Sequence, residues 1–523
     1  MTHCSRLLSA LASVALAFGV TSAQAALVVS GEPTKKISCA AGVCVATAPF
    51  AVLNAAELGN MLASSDVTLQ SGGLAKDIKL KIAFSWTGSN RLTFDSNRSI
   101  VVGEPLTAAG PGALSLTTNH GGHGGTLTFV GNGRAIFWDL SSSLIINGAT
   151  YVLVGDIATL AEDVNENPTG NYALANNYDA GQDGTYRDSP IPSFFGSFEG
   201  LGNVISNLTI RAVAPSRRLG LFEYVAVGGS VRDIGLANEL VEGTRFSTAG
   251  GLAAQNDGTI SNAFVRGRIS ADKFGTVGGL LGVNGGTLSA VRSSGRVKAR
   301  DASIVGGLVG FQTGNARGDP GVTVGARSTV HVAAGNDSYA GGLIGLATGF
   351  TFQSWADGAV TVGDDDGGDT PPTSAGGLVG YFFATADIRG AIADSYANGA
   401  VHGGTGSNVG GLIGVTYAES NSDGPIATSY STGTVADASG GFAGGLIGYE
   451  ARQANADTYW DLDTSGIFDP SRGAGNFAND PGITGLTDAQ LKSGLPAGFD
   501  PAIWAENPAI NNGYPYLIAN PAH

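Results

Sequence analysis

His120 and His123, three residues apart, and a crowd of aspartates at Asp364, Asp365, Asp366 and Asp369 are where residue type and spacing could do chemistry in this chain. An imidazole pair can chelate zinc, but a catalytic zinc site takes about three protein ligands, and no H-E-x-x-H is present. Lying among glycines, the pair reads as an exposed turn. The aspartates offer the hard oxygen ligands that calcium collects about six to eight at a time; beside Pro371 and Pro372 they read as a solvated surface loop. Asp461-Leu462-Asp463-Thr464-Ser465-Gly466 has the spacing that opens a calcium loop, but Arg472 stands at the twelfth position, where a bidentate glutamate is required. Glycoside hydrolysis needs two carboxyl groups about 5 to 9.5 Å apart. Nothing in the sequence selects such a pair, and Asp357, Asp394 and Asp437 read as turn residues. The sequence therefore assigns no catalytic residue, no metal site and no cofactor, and the chain is expected to lack catalytic activity. The alternative is a carbohydrate-active β-helix enzyme, a polysaccharide lyase or a glycosidase.

Whatever these residues do, a repeat array positions them. The phrase Gly-Gly-Leu-aliphatic-Gly returns at 278–282, 306–310, 341–345, 376–380, 410–414 and 444–448, with a worn copy at 250–254. Successive copies are 28, 28, 35, 35, 34 and 34 residues apart, a self-similarity that belongs to stacked coils. Between them runs a second phrase, an aromatic, a polar turn, a glycine and a β-branched residue, as at Trp355 to Val360, Tyr396 to Val401 and Tyr430 to Val435. Each repeat offers short strands and no dependable helix, so like residues of successive coils would lie about 4.8 Å apart. Leu252, Leu280, Leu308, Leu343, Leu378, Leu412 and Leu446 then form an inward aliphatic row, and Trp355, Tyr396 and Tyr430 a second row. Val362, next to the acidic insertion, is expected to matter much less than Leu378. The neighbouring glycines serve either a positive φ or a close approach of backbones.

Composition bounds the remaining choices. Glycine supplies 82 of 523 residues, only 14% are charged and 43% are hydrophobic, which excludes a disordered chain. A net charge of −15 argues against nucleic acid as a partner. Residues 1–25 read as a secretory signal: Arg6, an apolar run from Leu7 to Val20, and Ala23-Gln24-Ala25 as the cleavage site. No later run is long enough to span a membrane. Cys39 and Cys44 are the cysteines of the mature chain and are expected to close one small loop in an oxidising compartment. Val52 to Ala63 and Ile157 to Val164 carry helical spacing, the latter with Asp156 as N-cap.

These readings divide the chain into a signal (1–25), a β-rich N-terminal capping and first solenoid region (26–150), a pre-repeat segment (151–215), the repeat array (216–456) and a C-terminal cap (457–523). The phrases GGLLG, GGLVG and GGLIG resemble the GLUG motif of secreted bacterial repeat proteins. TYWDLDTSG, ITGLTDAQL and NGYPYL are similar to the segment that closes such arrays, and NRLTFDSNRSIVV resembles the β-helical parts of filamentous haemagglutinin-like exoproteins. The resemblance implies an all-β, right-handed parallel β-solenoid with short capping helices, placed outside the cell or on its surface. It further implies an adhesin-like binding scaffold whose ligand is a glycan or a host or matrix surface.

Overall fold

A computed structural model describes residues 25–122, 124–367, 372–384, 389–418, 426–436, 439–452 and 455–522. All of the expected signal except Ala25 lies outside the described residues. The chain is a parallel β-solenoid in two stacks. In the first, Ala26–Ser30, Ala51–Asn54, Asp77–Leu80, Ile100–Val102 and Leu127–Phe129 form one parallel sheet, and Phe84–Trp86, Pro105–Ala108 and Arg134–Phe137 another. Cys39 and Cys44 face each other across an antiparallel hairpin and are joined as a disulfide. The helix predicted from Val52 starts later, at Ala55, and runs to Leu62. Val52 and Leu53 belong to the preceding strand, and Asn54 ends that strand while its side chain caps the helix.

Asn147-Gly148 reverses the chain. Both residues have positive φ, and the strand Leu144–Ile146 pairs antiparallel with Ala149–Val154. This is the two-residue hairpin turn that Asn-Gly favours. The second stack therefore continues the same ladder with its strands pointing the other way. Asp156 caps the helix Ile157–Glu166, whose Ile157, Leu160 and Val164 enter the core. From there each coil contributes up to four short strands. One coil, for example, is built from Thr276–Gly278, Leu281–Asn284, Thr287–Ser289 and Arg292–Lys298, each pairing in parallel with its counterpart in the next coil.

The leucine row is the axis of this stack. All seven leucines are buried. Leu252 N donates to Leu280 O, Leu280 to Leu308, Leu308 to Leu343, Leu343 to Leu378, Leu378 to Leu412 and Leu412 to Leu446, all at 2.8–2.9 Å. Glycine is needed beside them for close approach and not for a positive φ. A Cβ on Gly342 would lie 2.0 Å from Gly377 O of the next coil, and one on Gly341 would lie 1.9 Å from Ile344 O. Left-handed corners occur elsewhere, once per coil, at Asp233, Asn262, Ala290, Gly325, Gln353, Asp394, Thr428 and Asp457. Val362 corrects an expectation: it is buried and donates to His402 O at 3.0 Å, because the acidic insertion begins only after the strand has turned inward.

The C-terminal segment also departs from the expected cap. It does not close the last coil alone but lies along the flank of several. Trp355, Tyr396 and Tyr430 stack at 5.8 and 5.1 Å with near-parallel rings, and Phe499, Trp504 and Tyr514 pack over them. Trp355 Nε1 donates to Asn520 O at 2.9 Å, Asn511 Nδ2 to Tyr430 Oη at 2.7 Å, and Asn520 Nδ2 to Ala326 O at 3.0 Å. The aromatic row is outward and would face water without this tail.

Leu378→Ala is expected to cost about 2–5 kcal/mol, since a buried leucine leaves a cavity that its neighbours cannot fill. Val362→Ala is expected to cost about 1 kcal/mol or more, as removal of buried methyl groups does. Urea unfolding of both variants measures this, and a Val362 variant indistinguishable from the parent would contradict its place in the core.

Candidate functional site

The row that begins as aromatic and covered becomes cationic and open. Register places Phe264, Arg292, Arg327, Trp355, Tyr396 and Tyr430 in successive coils. The tail ends at Arg327, whose guanidinium donates to Pro521 O at 3.2 Å and stands over the Trp355 ring. Beyond that point Arg292 lies 4.8 Å from the Phe264 ring centre, within cation–π range. A cleft of about 270 Å³ opens here between the first stack, through Phe129, and the array, through Phe264, Arg292 and Arg327, with Pro521 at its rim. The same three strands carry Arg266, Arg268, Arg296, Lys298 and His331 on their exposed positions. Burial lowers the pKa of Arg292, with Arg266 adding to it, and lowers that of Arg327, with Arg292 adding to it.

A second cleft, about 180 Å³, is lined by Thr118, Thr126, Asn147, Arg232, Asp233 and Asn262. Behind it Glu199 is fully buried, with Arg232 Nε 2.5 Å from Glu199 Oε2 and Leu201 N donating to Oε1 at 3.2 Å. Burial, more than any neighbour, raises both the Glu199 and the Asp233 carboxyls, and Glu199 raises Asp233 further. Two carboxyls in this state hold a proton at pH values where surface acids have lost theirs. Asp233 also sits at a left-handed corner, φ 56°.

An exposed aromatic pair occupies another corner. Phe246 and Phe274 have positive φ and stack at 4.8 Å, with Arg245 5.3 Å from each ring centre. Their exposures are 51% and 42%, unusual for bulky residues in a strained backbone region.

The residues singled out by sequence fall in different places. His120 Nδ1 lies 2.7 Å from Asp95 Oδ1, while His123 lies outside the described residues, as do Asp369 and Asp437. Asp365 and Asp366 meet Asp337 of the preceding coil, the one group of at least three potential ligands within 4.8 Å among the described residues. Asp337 and Asp365 already accept backbone hydrogen bonds from Asp366, Gly367 and Thr373. Asp461 is a structural residue: its Oδ1 accepts from the Asp463 and Thr464 amides and its Oδ2 from Tyr514. Asp394 is buried against Thr428 and Trp504. Sequence reasoning missed the arginine rows and the Glu199–Asp233 pair. The signal for the first was available, because Arg268, Arg296 and His331 are separated by one repeat each, 28 and 35 residues.

No protein-family model matches the chain, and no curated protein matches it. Among solved structures, one titled IgA1 Protease superposes on 52% of this chain with 21% identity and a TM-score of 0.38. The superposed region is 20% of that protein's length, so this chain spans a small part of it. The expectation of a chain without catalytic activity is corrected by this finding, since the matched structure is titled as an enzyme. A likeness of this size assigns no activity here.

Glu239 yields a test of the interior at this end of the array. It follows a bulge, is buried, and neither carboxyl oxygen has a hydrogen-bond partner among the described residues. Burial raises its pKa from 4.5 to about 8. The folded state thus holds the proton more tightly than the unfolded state. Its contribution is most favourable below pH 4.5 and is lost progressively as pH rises to about 8. Glu239→Gln is expected to match the parent at low pH and to exceed it by up to ~4–5 kcal/mol above pH 8. Denaturation of both proteins across pH measures the difference, and a pH-independent difference would remove the buried-carboxyl assignment.

Proposed function

We propose that this chain is a secreted or surface-displayed β-solenoid binding scaffold, adhesin-like in action, whose repeats are of the GLUG type and whose body is akin to filamentous haemagglutinin-like exoproteins. The observation that carries this reading is the rigid, in-register display of exposed side chains along the flank, with the open arginine row and the Phe246–Phe274 stack as its prominent parts. Repeated side chains on one rigid body give many weak contacts at once, and linking contacts multiplies avidity without any single strong site. The expected signal at residues 1–25 and the Cys39–Cys44 disulfide suit an oxidising, extracellular setting. Among the described residues no helix is long and apolar enough to cross a membrane.

A glycan and host-matrix binding screen on the mature chain tests the scaffold reading. Retention on at least one such surface is the expected result, and failure to bind any of them would remove the reading.

The Glu199–Asp233 pair favours a second reading, a carbohydrate-active enzyme. A protonated carboxyl at a cleft wall is the group that protonates a leaving glycosidic oxygen. If that is its role, incubation with polysaccharides releases new reducing ends, and Asp233→Asn lowers the release by about 100-fold or more, as loss of a general acid does. Absence of release from every polysaccharide that binds the chain would leave the pair a structural one.

A further inference from the structure

We propose that the outward face of the strands Phe264–Ser270, Arg292–Lys298 and Arg327–Ala333 binds a linear acidic polysaccharide, one that carries a carboxylate or a sulfate on successive sugars. The inference rests on the scaffold reading and names the ligand class of this flank.

The charge distribution is the first ground. The chain is acidic, with 43 aspartates and glutamates against 28 lysines and arginines, yet between Phe264 and Ala333 nine basic residues meet three acidic ones. Register then concentrates them. Arg268 is paired with Arg296 and Arg296 with His331, while Arg292 is paired with Arg327. Like charges directly opposite one another in a sheet destabilise it, so folding gains nothing from this arrangement. Burial lowers the pKa of Arg292 and Arg327, and their cationic neighbours lower it further, an independent mark of the same crowding.

Carboxylates are not scarce, and elsewhere the chain uses them. Arg211 pairs with Glu242 at 2.9 Å, Lys273 with Asp301 at 2.6 Å, and Arg232 with Glu199 at 2.5 Å. Among the described residues, none of Arg266, Arg268, Arg292, Arg296 and Lys298 lies within ion-pair distance of a carboxylate. The missing counter-charge is one that must come from outside the chain.

Geometry selects the ligand. Guanidinium groups repeat along the stack at about 4.8 Å, the spacing of paired strands, which is close to the length of one sugar in an extended chain. A polyuronate or a polysulfated glycan laid along the axis thus offers one anion per coil, each able to form a two-pronged bond with an arginine. Phe264 and Phe129 at the cleft supply apolar surface for the C–H face of a sugar ring. A nucleic-acid duplex is wider than three coils and would bring the acidic remainder of the chain against its phosphates.

The test is equilibrium binding of the mature full chain to polygalacturonate, dextran sulfate, uncharged dextran and a DNA duplex. Binding to the first or the second that weakens steeply with salt is expected, and which of the two binds better separates carboxylate from sulfate recognition. Arg268→Gln/Arg296→Gln is expected to weaken it by about tenfold or more and to flatten the salt dependence. Arg211→Gln, outside the face, should leave it unchanged. Circular dichroism melting verifies that the double variant is folded, and Lys298→Gln at the strand end provides an independent reading of the same face. Unchanged affinity in these variants, equal binding to uncharged dextran, or preference for DNA would overturn the proposal. If the chain is retained in the wider glycan and matrix screen but ignores both acidic polymers, this inference fails and the scaffold reading stands. If it binds nothing in either, both fail.

Discussion

Every other feature of this molecule depends on one contact repeated down its axis, the amide of a buried leucine donating to the carbonyl of the leucine one coil on. The bond requires adjacent backbones to approach so closely that a methyl group beside it would collide with the next coil, and glycine is the residue without that methyl. The two residue types of the repeat phrase thus do different work. Leucine fills the space inside the coil, and glycine sets the distance between coils. Once that distance is set, buried polar side chains meet their equivalents: Asn256 donates to Asn284 at 2.8 Å, and Ser354 and Ser395 accept from the amides of Ala326 and Ser354. Inside a poorly polarisable core such partners are obligatory. Their alignment follows from the spacing that the glycines allow.

The same spacing explains how one row of positions can change character along the body. Register makes equivalent side chains neighbours whatever their chemistry. A run of aromatics becomes a stack that must be covered, and a run of arginines becomes a concentration of charge that must be solvated or met. Where the tail lies on the row, the aromatics are buried; where the tail ends, the cations begin. The break lies between Trp355 and Arg327 and coincides with the rim of the larger cleft. A change in side-chain composition at constant backbone geometry has produced two different surfaces on one sheet.

Much of this was legible in the sequence, because a repeat shows its core by recurrence. The spacing of Leu252 to Leu446 named the buried row, the pattern after Asp156 named a helix, and the resemblance of the repeats carried the fold class. What was not legible has physical causes. Asn147-Gly148 is readable as a turn, but the reversal of strand direction across it depends on which strand follows, and local propensity does not encode that. The tail's docking on coils more than a hundred residues earlier is a long-range contact with no period to betray it. Val362 looked peripheral because the insertion after it is polar, although the strand that carries it is not. The arginine rows were hidden by unequal repeat lengths, since a 28-residue and a 35-residue step place Arg268, Arg296 and His331 in line only after the extra residues are assigned to loops.

The lateral tail has a mechanical consequence. Coils stacked end to end carry tension in series, so a pull along the axis would ordinarily unzip them one at a time from a free end. A segment that is bonded to Ala326 and Trp355 at one extreme and to Asp461 at the other shares the load among the coils between them. Unravelling from the C-terminal end then has to strip this clasp before the first coil can peel, and the terminal half of the body yields as a block.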